Sequence, residues 1–241
     1  MTKTHLSKSL FVGIISSTLW MHCTTSTTTY HKFYPSGQPQ VSGQTVSRSG
    51  EEPIAIGIWT YWFDNGKKQS EGTMLNGLQH GAWKTWNANG VLILEGHYDQ
   101  NRETGLWLSY YDSGQTRFSG QYKEGKEHGP WTYWNSNETK SMEGRFKNGD
   151  WDGPWLLYYP NGKKRIRSTY TDGALHGPYS SWYPNGVKQS EGIHQMGKKQ
   201  GPWKSWHKNG QLRSSAMMRE DVPLDNHQCW DQNGILIECP I

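Results

Sequence analysis

Histidines, glutamates and tryptophans that recur at fixed spacing are the side chains of this 241-residue chain with the types to do chemistry. His80, His128 and His176 invite a metal site. One ion held by several histidines needs ligand bonds of about 2.0–2.1 Å. A repeat of hairpins would set these three about 19 Å apart, four strands from one to the next. They are therefore read as turn residues, and no metal or cofactor is expected. Glu71, Glu95, Glu143 and Glu191 would stand about 10 Å apart between neighbouring units, close to the roughly 6.5–9.5 Å that separates the carboxyls of inverting glycosidases. Catalysis needs a singular constellation, however, and a repeat supplies only copies. These glutamates read as ladder residues pairing with Lys or Arg across strands. Neither a G-x-S-x-G elbow nor a phosphate-cradling G-x-x-x-x-G-K-[ST] loop occurs. No catalytic residue is assigned.

The tryptophans carry the open question. Trp59, Trp83, Trp107, Trp131, Trp155 and Trp203 are candidate binding residues, because an exposed aromatic row can stack on sugars and aromatics are favoured at protein interfaces. The competing reading makes them the core. Ile, Leu, Val and Phe together supply only about 15% of the chain, too little for an aliphatic core and under the roughly 20% associated with disorder in highly charged chains. The net charge is only +4, and 14 Trp and 13 Tyr are available to bury, so disorder is excluded and the core reading is preferred. The charge also argues against nucleic acid, which calls for a basic domain with clustered Lys and Arg. The basic runs Lys163–Arg167 and Lys198–Lys199 are read as solvated strand faces.

What must position these side chains is a strict repeat. Gly57, Gly81, Gly105, Gly129, Gly153, Gly177 and Gly201 begin successive units of one period, 24 residues long by their numbering. Each unit has an aromatic two residues after this glycine and another three residues further on: Trp62, Trp86, Tyr110, Trp134, Tyr158, Trp182 and Trp206. Then comes a turn such as Asn65-Gly66 or Asn161-Gly162, where Asn-Gly supplies the positive φ of tight hairpins. The fourth unit has Asn137-Glu138 there and should turn less ideally. A second strand, often ending in Glu-Gly, and a second turn complete the unit. A partial unit, Tyr30–Gly37, precedes an insertion of five residues within 38–56, and Asp225 opens an eroded last unit. The expected fold is all-β: an elongated antiparallel meander of roughly 16 to 18 strands, about 75–85 Å long at normal strand spacing, coiled or curved because flat sheets of that size are unusual.

The pattern G-x-W-x-x-Y/W-x-x-N-G…E-G-x-Y…G resembles the MORN repeat, in the variant common in bacterial proteins, over about residues 57–234 and loosely 28–37. Unit eight departs from it, with Asp225 for Gly and His227 for the first aromatic. The resemblance implies a non-enzymatic scaffold or protein-binding surface. Many bacterial relatives carry an antitoxin label without established chemistry, and lipid contact has been proposed for eukaryotic ones. Aromatic cell-wall-binding repeats are a competing resemblance, with a shorter period. They imply the alternative function, a glycan- or cell-wall-binding module using the Trp-rich face.

The N-terminus adds a compartment. Lys3 and Lys8 followed by the apolar run Leu10–Met21 read as a secretory signal. Cys23, directly after it, resembles the acylated cysteine of a bacterial lipoprotein, although Trp20-Met21-His22 departs from the usual Leu-small-small pattern. The expected organisation is a signal peptide over 1–22, a Thr-rich tether and partial first repeat over 23–56, seven repeats over 57–224 and a degenerate cap over 225–241. The expected place is the cell envelope, as an outer-membrane lipoprotein, otherwise secreted or periplasmic, with membrane contact through the lipid anchor and a protein of unknown identity as partner. Cys229 and Cys239 flank the last Asn-Gly turn on one face of a hairpin; an exported chain permits a disulfide there, but as a diagonal pair they are borderline in geometry, and two free thiols are the alternative.

Overall fold

The computed structural model describes residues 25–224 and 226–239. Among them there is no helix, and 21 strand segments form one open antiparallel sheet in which each row pairs with the rows before and after it in sequence. Three strand rows are broken in two, at Asp152, at His176 and between Pro223 and Gln228, so the segments make 18 rows.

The expected tether is a strand. β1 (Thr25–Phe33) pairs with β2 (Pro39–Arg48) from Thr25↔Arg48 onward, and Thr28 and Thr45 share a hydroxyl hydrogen bond of 2.9 Å. β-Branched threonines suit a pleated surface, so a Thr run that looks flexible by composition is good strand sequence. The five inserted residues are absorbed by the long β2–β3 hairpin, which turns at residues 49–53 before β3 (Ile54–Trp62).

Two kinds of turn alternate, and the Asn-Gly turn has positive φ at its glycine alone. In the Asn-Gly turn the Phe63 carbonyl accepts from the Gly66 N–H at 3.0 Å, and only Gly66 has positive φ (78°). Asn65 instead uses its side chain. Its Oδ1 accepts from the Lys67 N–H at 3.1 Å, and its amide donates to the Ala88 carbonyl of the next repeat at 2.8 Å. Asn137, Asn161, Asn185 and Asn209 make the same reach, so an asparagine ladder ties turn to turn from the fourth unit onward. In the fourth unit Glu138 occupies the glycine position at φ 63°, a region L-residues disfavour. The two-residue turns between units, such as Asn76-Gly77 (φ 52° and 78°), are the ones with both residues left-handed, as type I′ hairpins require.

The glycine that opens each unit marks a bulge. Between β4 (Lys68–Leu75) and β5 (Leu78–Trp86), Gly72 pairs with Trp83 but Thr73 with His80, which leaves Gly81 and Ala82 over on that side. Gly81 has φ 71°. The second of the extra residues is Pro130, Pro154, Pro178 or Pro202 in later units; it needs no donor toward the preceding strand, which is why proline is tolerated there.

Candidate binding surface

Alternation along a strand sends residues three apart to opposite faces, and this separates the two aromatic rows. The first row is buried: Trp59, Trp83, Trp107, Trp131, Trp155 and Trp203 keep between 0 and 8% of their surface exposed. Their burial favours the core reading over that of an exposed sugar-stacking row. Each indole crosses the bulge beside it. Trp83 donates from Nε1 to the Thr73 carbonyl at 3.1 Å, and Trp107, Trp131, Trp155 and Trp203 donate to His97, Gln121, Arg145 and Ile193 at 3.0–3.3 Å. Beneath each indole lies the glycine of the Glu-Gly pair or its equivalent. A Cβ added at Gly43, Gly72, Gly96, Gly120, Gly144 or Gly192 would overlap the Trp ring.

Tyr and Phe rings of the second strand fill the spaces between indoles. Tyr98 sits edge-on between Trp83 and Trp107 (centroids 6.1 and 5.1 Å), Tyr122 between Trp107 and Trp131 (5.8 and 5.2 Å), and Phe146 between Trp131 and Trp155 (5.6 and 5.1 Å). Such pairs add about 0.5–1.5 kcal/mol each beyond area burial. The core is thus a one-sided aromatic ladder. Burial pushes the Tyr122 and Tyr133 hydroxyls up to about 12, with help from Glu127 nearby.

The opposite face carries the half-buried second row together with the repeated glutamates. Glu71, Glu143 and Glu191 pair with Lys68, Lys140 and Lys188 at 2.6 Å, each lysine three residues earlier on the same strand. A second bulge, at Gln69, Ser141 or Gln189, brings lysine and glutamate onto one face. Glu95 pairs across strands with Lys84 at 3.5 Å, as expected of a ladder. Tyr110 donates to Glu95 at 2.7 Å and Tyr158 to Glu143 at 2.5 Å; burial first, and these carboxylates second, push both phenols up to about 12. The Lys140 ammonium, then the Tyr158 hydroxyl, hold Glu143 below its ordinary value. Glu71 is lowered chiefly by Lys68. Carboxylates held ionised in ion pairs are poor general acids.

The histidines do not sit in turns. His80 and His128 lie in strands and His176 at a strand break, each next to the bulge glycine, and His80 Nδ1 is 3.4 Å from Asp99 Oδ1. The bulge rather than the hairpin end holds them, because the unit's glycine serves the bulge. They remain four strand rows apart, so the structure does not bring them together. Cys229 and Cys239 form a disulfide with Cα atoms 5.2 Å apart, and His227 Nε2 is 3.4 Å from Cys229 Sγ. These three would serve as a ligand set only with the cysteines as free thiols. Of the basic runs, Lys163 caps the Asn185 carbonyl at 2.9 Å and Lys198 pairs with Glu220 at 3.1 Å. Cys23 lies outside the described residues.

What the sequence reading missed is the pairing of indole with glycine, although the chain contains its signal. Eleven residues before the first aromatic stand Gly72, Gly96, Gly120, Gly144 and Gly192 where that aromatic is Trp. Ser168 stands before Tyr179 and Ala216 before His227. The residue under the ring grows where the ring shrinks.

No curated protein matches the chain. The family described as MORN repeat variant matches residues 56–76, 79–100, 103–124, 151–172, 175–195 and 199–219. The fourth unit, which carries the Asn137-Glu138 turn, falls between these segments yet folds in the same register as the rest. The matches cover more than half of the chain, and the chain belongs to the MORN repeat variant family.

Proposed function

We propose that this protein is a non-enzymatic scaffold, exported and lipid-anchored through Cys23, that presents an extended surface to a protein partner at the cell envelope. The observation that carries the reading is translational sameness. The repeated carboxylates recur with near-identical local partners, Glu71, Glu143 and Glu191 each with a lysine three residues earlier, so they are copies and not a singular constellation. A sheet of 18 rows, one layer thick, offers a long surface. The envelope assignment is supported by Lys3, Lys8, the apolar run and Cys23, and by a disulfide of the kind that oxidising compartments maintain. β1 begins at Thr25, two residues after Cys23, so an acylated chain would hold the edge of its sheet within about 10 Å of the lipid.

Metabolic labelling with a palmitate analogue tests the anchor. The wild-type chain should be labelled and fractionate with membranes, while Cys23→Ser should lose the label and become soluble. An unlabelled wild type, or labelling unchanged in the variant, would refute the anchor. For the partner, photocrosslinkers on the second aromatic row should yield discrete adducts in native envelopes, and a surface without adducts at any row position would refute the scaffold.

A further inference from the structure

At one pair of positions on the indole face the first five units carry at least one large side chain, and the next two carry none. Two residues after the first aromatic, and at its cross-strand partner, stand Tyr61 with Ser70, Thr85 with Leu94, Ser109 with Phe118, Tyr133 with Met142, and Leu157 with Ile166. Every one of these pairs has at least one bulky member. The corresponding pairs in the units at Gly177 and Gly201 are Ser181 with Ser190 and Ser205 with Ser214, whose hydroxyls bond at 2.7 and 2.6 Å. The ladder rings thin out as well: His194 and Met218 stand where Tyr98, Tyr122 and Phe146 stand earlier, and His227 replaces an indole. Over these units this face carries a cavity of about 800 Å³, while a shallower hollow of about 680 Å³ lies over Tyr61, Ser70, Trp83 and Thr85 of the first units; the former is within the roughly 300–1,000 Å³ typical of small-molecule sites.

Its lining has a definite chemistry. Tyr179 and Trp203 form an aromatic wall, with the Lys199 ammonium 5.0 Å from the centre of the Trp203 ring. Lys199 occupies the place of Glu103 and Glu127 in earlier units, so the charge at that repeat position is reversed here. Arg213, the bulge residue of its unit, adds a second cation, and Lys204 borders the site. The one lining carboxylate, Asp231, is engaged by the N–H groups of Asn233 and Ile235 at 2.9 and 2.8 Å. Asp221 nearby accepts the Lys199 backbone N–H at 2.8 Å and leaves the ammonium free.

We infer that this cavity is a binding site for a small molecule that joins a flat apolar ring to an anionic group, the ring against Tyr179 beside the buried Trp203 and the anion toward Lys199 and Arg213. Serine hydroxyls on the floor give such a ligand polar partners, and the cations give it orientation. The site is separate from the envelope scaffold proposed above and stands whether or not that reading holds.

The test uses 8-anilinonaphthalene-1-sulfonate and its neutral counterpart N-phenyl-1-naphthylamine as fluorescent probes on the folded protein. The sulfonate should bind saturably at one site. Lys199→Gln with Arg213→Gln should weaken it by about tenfold or more, as expected for loss of charge-assisted contacts, with little effect on the neutral probe. Ser190→Leu and Ser214→Phe, which restore the residues of Leu94 and Phe118, should each abolish binding of both probes without lowering the melting temperature. Two separate fillings keep one misfolded variant from deciding the result. The proposal is overturned if sulfonate binding is unsaturable, if it survives a filling variant that melts normally, or if the charge variants weaken both probes equally.

Discussion

Gly144 lies under Trp155, whose ring is fully buried, and a Cβ there would overlap the indole. The backbone of Gly144 is not left-handed, so any penalty for Gly144→Ala is steric rather than conformational. Overpacking of this kind costs about 1–3 kcal/mol, which in a chain of this size lowers the melting temperature by roughly 2–12 °C. Trp155→Tyr alone is also destabilising, because it removes the indole N–H that bonds the Arg145 carbonyl at 3.1 Å. The double variant Gly144→Ser with Trp155→Tyr copies the Ser168–Tyr179 pair of the following unit. It should be more stable than the sum of its single changes by about 1–2 kcal/mol, a coupling expected for residues in contact. Ser168→Ala is the control: its hydroxyl is buried without a partner, so its loss should be near neutral or stabilising. Urea denaturation of these four variants and of Gly144→Ser alone measures all terms. An unchanged Gly144→Ala, or strictly additive single changes, would refute the indole–glycine account.

The aromatic ladder predicts that Trp131→Ala costs about 3–5 kcal/mol, and Trp230→Ala less, because Trp230 sits in the last unit with a neighbour on one side; denaturation midpoints compare them. Glu138→Gly should stabilise the chain by about 1–2 kcal/mol by relieving a left-handed L-residue, read as a rise in midpoint. Burial, then Lys199, lowers the pKa of His194 below 6.5. Below pH 6.5 the unfolded chain takes up a proton that the folded chain refuses, so stability should fall as pH drops from 6.5 toward the folded value. His194→Phe, which places here the residue that Phe146 supplies two units earlier, should flatten that part of the stability–pH curve.

Much of this fold was legible because a fixed period constrains every unit at once. The glycine spacing and the Asn-Gly turns located the hairpins, and the scarcity of aliphatic residues left aromatics to form the core. Three features were harder to see. The Thr-rich start of β1 has the composition of a linker and the stereochemistry of a strand, and only its pairing with β2 decides between them. The bulge at the unit glycine cannot be told from a turn by residue type, since both use glycine at positive φ; that ambiguity misplaced His80, His128 and His176. The surface role of the first tryptophans was open until register fixed which row faced the ladder. The opposite faces of the two rows follow from their odd spacing, but which face is buried depends on Tyr98, Tyr122 and Phe146 standing between the indoles.

Hydrogen exchange at the tryptophan indoles, followed residue by residue by NMR, tests the central claim most directly. The indole N–H groups of Trp59, Trp83, Trp107, Trp131, Trp155 and Trp203 are all bonded to backbone carbonyls on the buried face. The account predicts that these six exchange slowly, while Trp62, Trp86, Trp134, Trp182 and Trp206 on the opposite face exchange fast. Equal rates in the two rows, or protection of the second row alone, would contradict it.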